Sequence, residues 1–290
     1  MMKKLILSIV SIAIAIIALG TSTFAWFTLS NRTTVGQFNA EVTGGDGLEI
    51  SLDNTSWYSS IPSSVMQDHL ATLYGSSLSG DKPIIKDVTS FDGKTFKIFN
   101  DDAEDGWIEF DLKFRSRVKT EVYWTNAELG GTTFNWTPDN EFLLEGEVQA
   151  SPSTPIPINP ANALRVSLDG KVDNVSTVYA YEKANADDGN VYLGTTPSIY
   201  GSVSYYNAKN GVGSIEPTDF PTNLFDTFTS FSSTTIDNNK VLTLVENETT
   251  SYNEGTITVR VWMEGWDADT YDSILGKPVS IALSFATPES

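Results

Sequence analysis

Three stretches of the chain alternate strictly between apolar and polar side chains. In 107–117, WIEFDLKFRSR, Ile108, Phe110, Leu112 and Phe114 fall on one face and Glu109, Asp111, Lys113 and Arg115 on the other. A period of two is the pattern of a strand with one face in a core and the other in water. TITVRVWME repeats it, with Ile257, Val259, Val261 and Met263 inward and Thr258, Arg260 and Trp262 outward, and PVSIALSF does so through Val279, Ile281, Leu283 and Phe285. Less regular strands are expected at 37–43, 47–53, 95–100, 120–125, 163–170, 176–182 and 241–247. About ten such segments separated by Gly, Asn, Asp and Pro predict an all-β fold, an antiparallel β-sandwich of jelly-roll type with a few short surface helices.

Two helices are expected. SSVMQDHLATLYG (63–75) places Met66, Leu70, Leu73 and Tyr74 on one face. DADTYDSILGKP (267–278) carries Asp267 or Asp269 as an N-cap, Gly276 as a stop and Pro278 beyond it. The proline-rich ASPSTPIPINPAN (150–162) favours an extended path. Strand style and composition are alike on both sides of it. It therefore reads as a long loop within a single sandwich spanning 26–290, with a two-domain division as the alternative.

The N-terminus breaks the pattern. Lys3 and Lys4 precede an uncharged apolar run from Leu5 to Gly20, the layout of a secretory signal. Thr23-Phe24-Ala25 then offers a cleavage site that makes Trp26 the new N-terminus, so residues 1–25 are read as a signal peptide. Extending the run to Phe27 reaches the roughly 20 residues of a membrane span, which keeps an uncleaved anchor open as the alternative. Either way the body is exported, and membrane contact is expected only through this segment before cleavage.

Composition narrows the function classes. The 290 residues carry a formal charge of −19, and removing 1–25 takes away two lysines and no acid, giving −21. Such a surface repels phosphate, so nucleic acid is excluded as a partner. There is no cysteine, so stability rests on a packed core or on contacts with other chains.

Candidate chemistry is thin. His69 is the only histidine, which removes paired-histidine zinc sites and leaves no nucleophile elbow or triad around it. Close carboxylate pairs are guaranteed by 37 acids and carry little weight. Among the tryptophans, Trp262 and Trp266 are candidates for an exposed glycan platform, against the usual fate of such rings as packing. DDAEDG (101–106), NADDGN (185–190) and Asp267, Asp269 and Asp272 are candidate calcium loops, but none has the D-x-[DN]-x-[DN]-G spacing. Gly44-Gly45-Asp46-Gly47 and Gly211-Val212-Gly213 lack the strand-then-helix setting of phosphate loops and read as turns. No catalytic residue and no cofactor are expected, with calcium the one exception left open.

The lysine-led signal ending in STFAWFT, followed by GLEISLD, WIEFDLKFRS, ALRVSL and the closing TITVRVWMEGWDAD and VSIALSF, resembles the exported proteins processed by SipW-type signal peptidases. That group contains TasA-type biofilm matrix fibre proteins and camelysin. The likeness is strongest over the first 30 residues and the last 35 or so. It implies a secreted, non-enzymatic jelly-roll subunit of the bacterial surface or extracellular matrix, trimmed by a SipW-type peptidase and polymerising with copies of itself. The freed segment, with Trp26, Phe27, Leu29, Val35 and Phe38 as its apolar positions, would add as a donor strand to the next subunit; the alternative is that it forms the first strand of its own. The protease activity associated with camelysin is not expected here, because no zinc-protease pattern is present. A carbohydrate-binding sandwich is the rival function.

Overall fold

The computed structural model describes residues 33–43, 47–74, 84–98, 101–145, 148–184, 199–211, 214–222, 224–225, 227–231, 239–274 and 277–288. The signal site at Thr23, Ala25 and Trp26, the donor positions Phe27 and Leu29, and the 185–190 loop lie outside these residues. The strands are β1 (Thr33–Thr43), β2 (Glu49–Ser51), β3 (Ser60–Ile61), β4 (Ile84–Ile85), β5 (Asp87–Ser90), β6 (Phe96–Ile98), β7 (Asp101–Asp102), β8 (Ile108–Ser116) and β9 (Glu121–Gly131). They continue as β10 (Phe134–Trp136), β11 (Phe142–Glu145), β12 (Val148–Ala150), β13 (Ile156–Ile158), β14 (Leu164–Val172) and β15 (Val175–Glu182). The last four are β16 (Lys240–Thr243), β17 (Val245–Asn247), β18 (Tyr252–Glu264) and β19 (Pro278–Ala286). Two α-helices join them, α1 (Ser63–Tyr74) and α2 (Ser202–Asn210).

Two sheets face each other across one core. Sheet I runs β16-β9-β19-β1-β3, with β4 also on β1. Sheet II is centred on β18, which pairs antiparallel with β14 through Thr258–Met263 and with β8 through Asn253–Val261. Sharing residues 258–261, those partners occupy opposite edges of β18; β15 extends beyond β14, and β2 beyond β8. The alternating apolar positions of β8, β18 and β19 all point into the space between the sheets, each at most 3% exposed. Apolar burial of this kind is the main term holding the two sheets together.

The sandwich is antiparallel with two exceptions. β1 runs parallel to β19, from Thr34 opposite Pro278 to Thr43 opposite Ala286, with a bulge between Val35 and Gln37. β5 meets the end of β18 in parallel. Alternation fixes which face is buried and leaves direction open.

Several expectations change on contact with packing. The 241–247 segment is two strands: β16 lies in sheet I, and after Leu244 the chain crosses to sheet II as β17, a corner of the kind that lets one strand serve both sheets. At that corner Gly170 is obligatory in the plainest sense, because a Cβ there would sit 1.9 Å from the Val241 carbonyl oxygen. The proline-rich stretch forms β13 against β10, and Asn159 to Ala163 are buried; one hydrophobic cluster draws side chains from both sides of it. Helix α1 buries Met66 and Leu70 as expected but leaves Leu73 51% exposed. Of the helix expected at 267–278, the described residues form a single 3-10 turn at Asp272–Ile274, preceded by a tight turn in which Asp267 Oδ1 accepts the Asp269 N–H.

A third layer lies on the outer face of sheet II. The β5–β6 hairpin crosses it, with Ser167 Oγ donating to the Gly93 carbonyl (2.7 Å) and Lys94 pairing with Asp169 (3.0 Å). Beside it, α2 and the 214–225 region pack Val203, Tyr206, Ile215, Phe220 and Leu224 around Trp266. This layer decides where the functional candidates end up.

Candidate functional site: an acid cluster beneath the outer layer

On the outer face of sheet II, Arg165 of β14 stands directly opposite Glu182 of β15 on one side and Trp262 of β18 on the other. Period two sends all three away from the core, where the third layer receives them. Arg165 Nε pairs with Glu182 Oε2 at 2.6 Å, a second guanidinium nitrogen bonds Asp267 Oδ2, and the third donates to the carbonyls of Asn162 and Leu164 at 3.0 and 3.1 Å. Its side chain is 2% exposed. A guanidinium can be buried like this because two carboxylates and two carbonyls face its fork of donors.

Glu264 completes the cluster. Its Oε2 accepts from the Trp262 indole N–H (3.0 Å) and its Oε1 from the Trp266 backbone N–H (3.3 Å). The chain then folds into a tight turn over 265–270: Asp267 Oδ1 accepts the Asp269 N–H (2.9 Å), and Thr270 Oγ1 donates to the Glu264 carbonyl (2.7 Å). The same turn anchors α2. Ser202 Oγ donates to the Asp267 carbonyl (2.7 Å) and Ser202 N–H to the Ala268 carbonyl (2.8 Å), while Gly201, at φ +62°, lies where a Cβ would come within 2.5 Å of the latter oxygen.

Charge in the cluster is unbalanced. Glu182, Glu264 and Asp267 surround one cation, Arg165. Burial raises the Glu264 carboxyl to about 7, against the lowering pull of the Trp262 N–H and Arg165. It raises Asp267 to about 6, again opposed by Arg165. Desolvation wins in both because one guanidinium is shared among several acids. These are groups that exchange protons near neutrality but are sealed from a substrate.

The sequence candidates distribute as follows. Trp262 and Trp266 are 1% and 2% exposed, covered by Phe96 (5.3 Å between ring centroids) and Phe220 (5.7 Å). The exposed glycan platform is therefore overturned: the outward position of Trp262 faces a protein layer instead of water. His69 lines a shallow hollow of about 220 Å³ with Asp53, Ser56, Tyr58 and Asp68. Burial lowers its imidazole pKa, so it is neutral at pH 7. In 101–106, Asp102 and Asp105 are paired with Lys97 and Lys86. Among the described residues no group of three or more His, Cys, Asp or Glu is arranged to hold a metal ion. Among them, too, no helix is long and apolar enough to cross a membrane.

Val35 and Phe38 of the candidate donor strand belong to β1 of their own subunit, opposite Val279 and Ile281 of β19. Phe38 is 1% exposed and meets Phe110 of sheet II edge-on at 5.0 Å. β1 thus sits between β19 and β3, inside sheet I instead of on its rim.

Comparison with protein-family models, with curated proteins and with solved structures finds no match to this chain.

Proposed function

We propose that this chain is a secreted, non-enzymatic structural protein of the bacterial surface or biofilm matrix, trimmed by a SipW-type signal peptidase and assembling into fibres of identical copies through its N-terminal strand. One observation carries this reading: β1, the first described strand, lies between β19 and β3 in sheet I and is parallel to β19, its main partner. A parallel neighbour cannot be joined by a hairpin. β1 is consequently tied to β19 by hydrogen bonds and side chains alone, and a β1 from another copy would make the same bonds and fill the same pockets. The apolar stripe of β1 and the acidic, cysteine-free composition agree with a role in cohesion outside the cell, without nucleic acid and with membrane contact only before cleavage.

The absence of native cysteine gives a direct test. In the chain starting at Trp26, Val35→Cys and Val279→Cys place one thiol on each partner strand at paired positions. Fibres seen by electron microscopy are expected to give a ladder of disulfide-linked multimers on oxidation, and monomers a link within one chain. Particles that stay monomeric over a range of pH and concentration would defeat assembly. Fibres with only within-chain links would defeat strand exchange.

A further inference from the structure

β15 forms one rim of sheet II. It pairs with β14 on one side, from Arg165 opposite Glu182 to Val172 opposite Val175, without a bulge. The other edge carries a cover from the same chain: Phe228 N–H donates to the Ala180 carbonyl and Glu182 N–H to the Phe228 carbonyl, each at 3.0 Å, in a parallel bridge. Among the described residues, these two are the cover's backbone bonds to β15. In a strand the N–H and C=O of one residue face the same side and alternate along the chain, so Ser176 and Val178 present theirs on this edge too. The remaining hold on residues 227–231 is aromatic. Phe228 stands 5.3 Å from Trp124 and 5.5 Å from Tyr181, and Phe231 stands 5.3 and 5.2 Å from the same two rings.

The edge beneath the cover has the composition of one that self-associates. Val175 to Tyr181 reads VSTVYAY, an uncharged run without Pro or Gly and rich in β-branched and aromatic side chains. β15 has 8 residues, against 4, 2 and 3 in the rim strands β16, β3 and β2. Over 175–181 it lacks the charge, bulge or proline that ordinarily blunts an edge. Copies of a chain with net charge −19 repel one another, and an uncharged strand lets two of them meet without opposing like charges. We propose that the β15 edge is a pairing surface for β15 of a second copy, antiparallel about a two-fold axis, and that residues 227–231 hold it closed. A two-fold axis makes one edge complementary to itself. Because rings more than backbone bonds keep the cover in place, losing them opens the edge while β14, β18 and β8 stay paired. This surface lies in sheet II, apart from β1, and pairing through it is independent of fibre formation.

Sedimentation velocity of the chain starting at Trp26 tests it. Phe228→Ala combined with Phe231→Ala strips the rings from the cover. At a concentration where the parent is monomeric, the apparent mass of this variant is expected to be about twice the parent's or more. Adding Ser176→Pro, at a position whose N–H faces away from β14, is expected to restore the parent's mass. A double variant with the parent's mass overturns the pairing surface. So does association that the proline leaves in place, because it then runs through another part of the molecule. Amide exchange of the parent, followed by NMR, gives a reading that needs no variant to fold. The Glu182 amide, bonded to the cover, is expected to exchange roughly tenfold or more faster than those of Thr177 and Tyr179, which face β14; equal protection overturns a displaceable cover.

Discussion

Replacing Phe38 by alanine probes whether β1 is part of the folded subunit. The ring is 1% exposed, lies on a strand paired with β19 at Ile281, and meets Phe110 at 5.0 Å and 84° across the core. Phe→Ala in such a site costs about 3–5 kcal/mol, composed of lost transfer free energy and a cavity the neighbours cannot fill. Here the upper half of that range applies, because the β19 pairing holds the backbone on either side of Phe38 and an edge-to-face partner worth about 1 kcal/mol is lost as well. At about 2–4 °C per kcal/mol for a chain of this size, the melting temperature is expected to drop by roughly 8–20 °C. Urea unfolding of the monomer followed by tryptophan fluorescence should show a lower midpoint with an unchanged slope, since the surface exposed on unfolding is the same. A loss below about 1 kcal/mol would refute the placement of β1 between β19 and β3.

Gly170→Ala forces a methyl group against the Val241 carbonyl and should cost about 3 kcal/mol by thermal melting, although both residues are strand positions remote from any site. Trp262→Ala should lower stability by about 3–5 kcal/mol and leave retardation in polysaccharide gels unaltered; altered retardation at unchanged stability would restore the platform reading. Stability should peak in mildly acidic solution. Glu264 rises from 4.5 to about 7 on folding, so the folded state holds the proton longer and loses up to about 3 kcal/mol as pH climbs from 4.5 to 7. Asp53, Asp92, Glu121 and Asp139 shift the other way, so their support is complete above the ordinary carboxylate range and vanishes as pH falls below it. Melting temperatures taken across pH check both limbs, and a plateau from about pH 4.5 to 7 would contradict the Glu264 assignment.

What could be read from the sequence follows from where water is. In β8 and β19 the face opposite the core meets solvent at several positions, and strict alternation named the buried residues one by one. The same rule put Trp262 on the outer face correctly but in water wrongly, because a third layer buries both faces of β14 and β18 there and period two carries no sign of a layer contributed by remote segments. An arginine and a tryptophan at paired outward positions, with Glu182 and the Gly265-Trp266-Asp267 turn near strand ends, was the available signal, and it needs register to be recognised. Local chemistry also depends on single residues. Ser51-Leu52-Asp53-Asn54-Thr55-Ser56 and Ser90-Phe91-Asp92-Gly93-Lys94-Thr95 close the same turn, in which the aspartate accepts two backbone N–H groups and the final hydroxyl. Ser167-Leu168-Asp169-Gly170-Lys171-Val172 begins alike but has valine where that hydroxyl belongs, and it continues as β14.

The parallel pairing of the first and last described strands has a mechanical corollary. Thr34 lies beside the start of β19 and Thr43 beside its end, so the N-terminal end of β1 and the C-terminal end of β19 are at opposite ends of one ladder. Tension applied between the chain's two extremities therefore loads all the rungs side by side, as in a lap joint, instead of peeling them in succession. A joint of this geometry resists pulling far better than the same rungs would resist peeling.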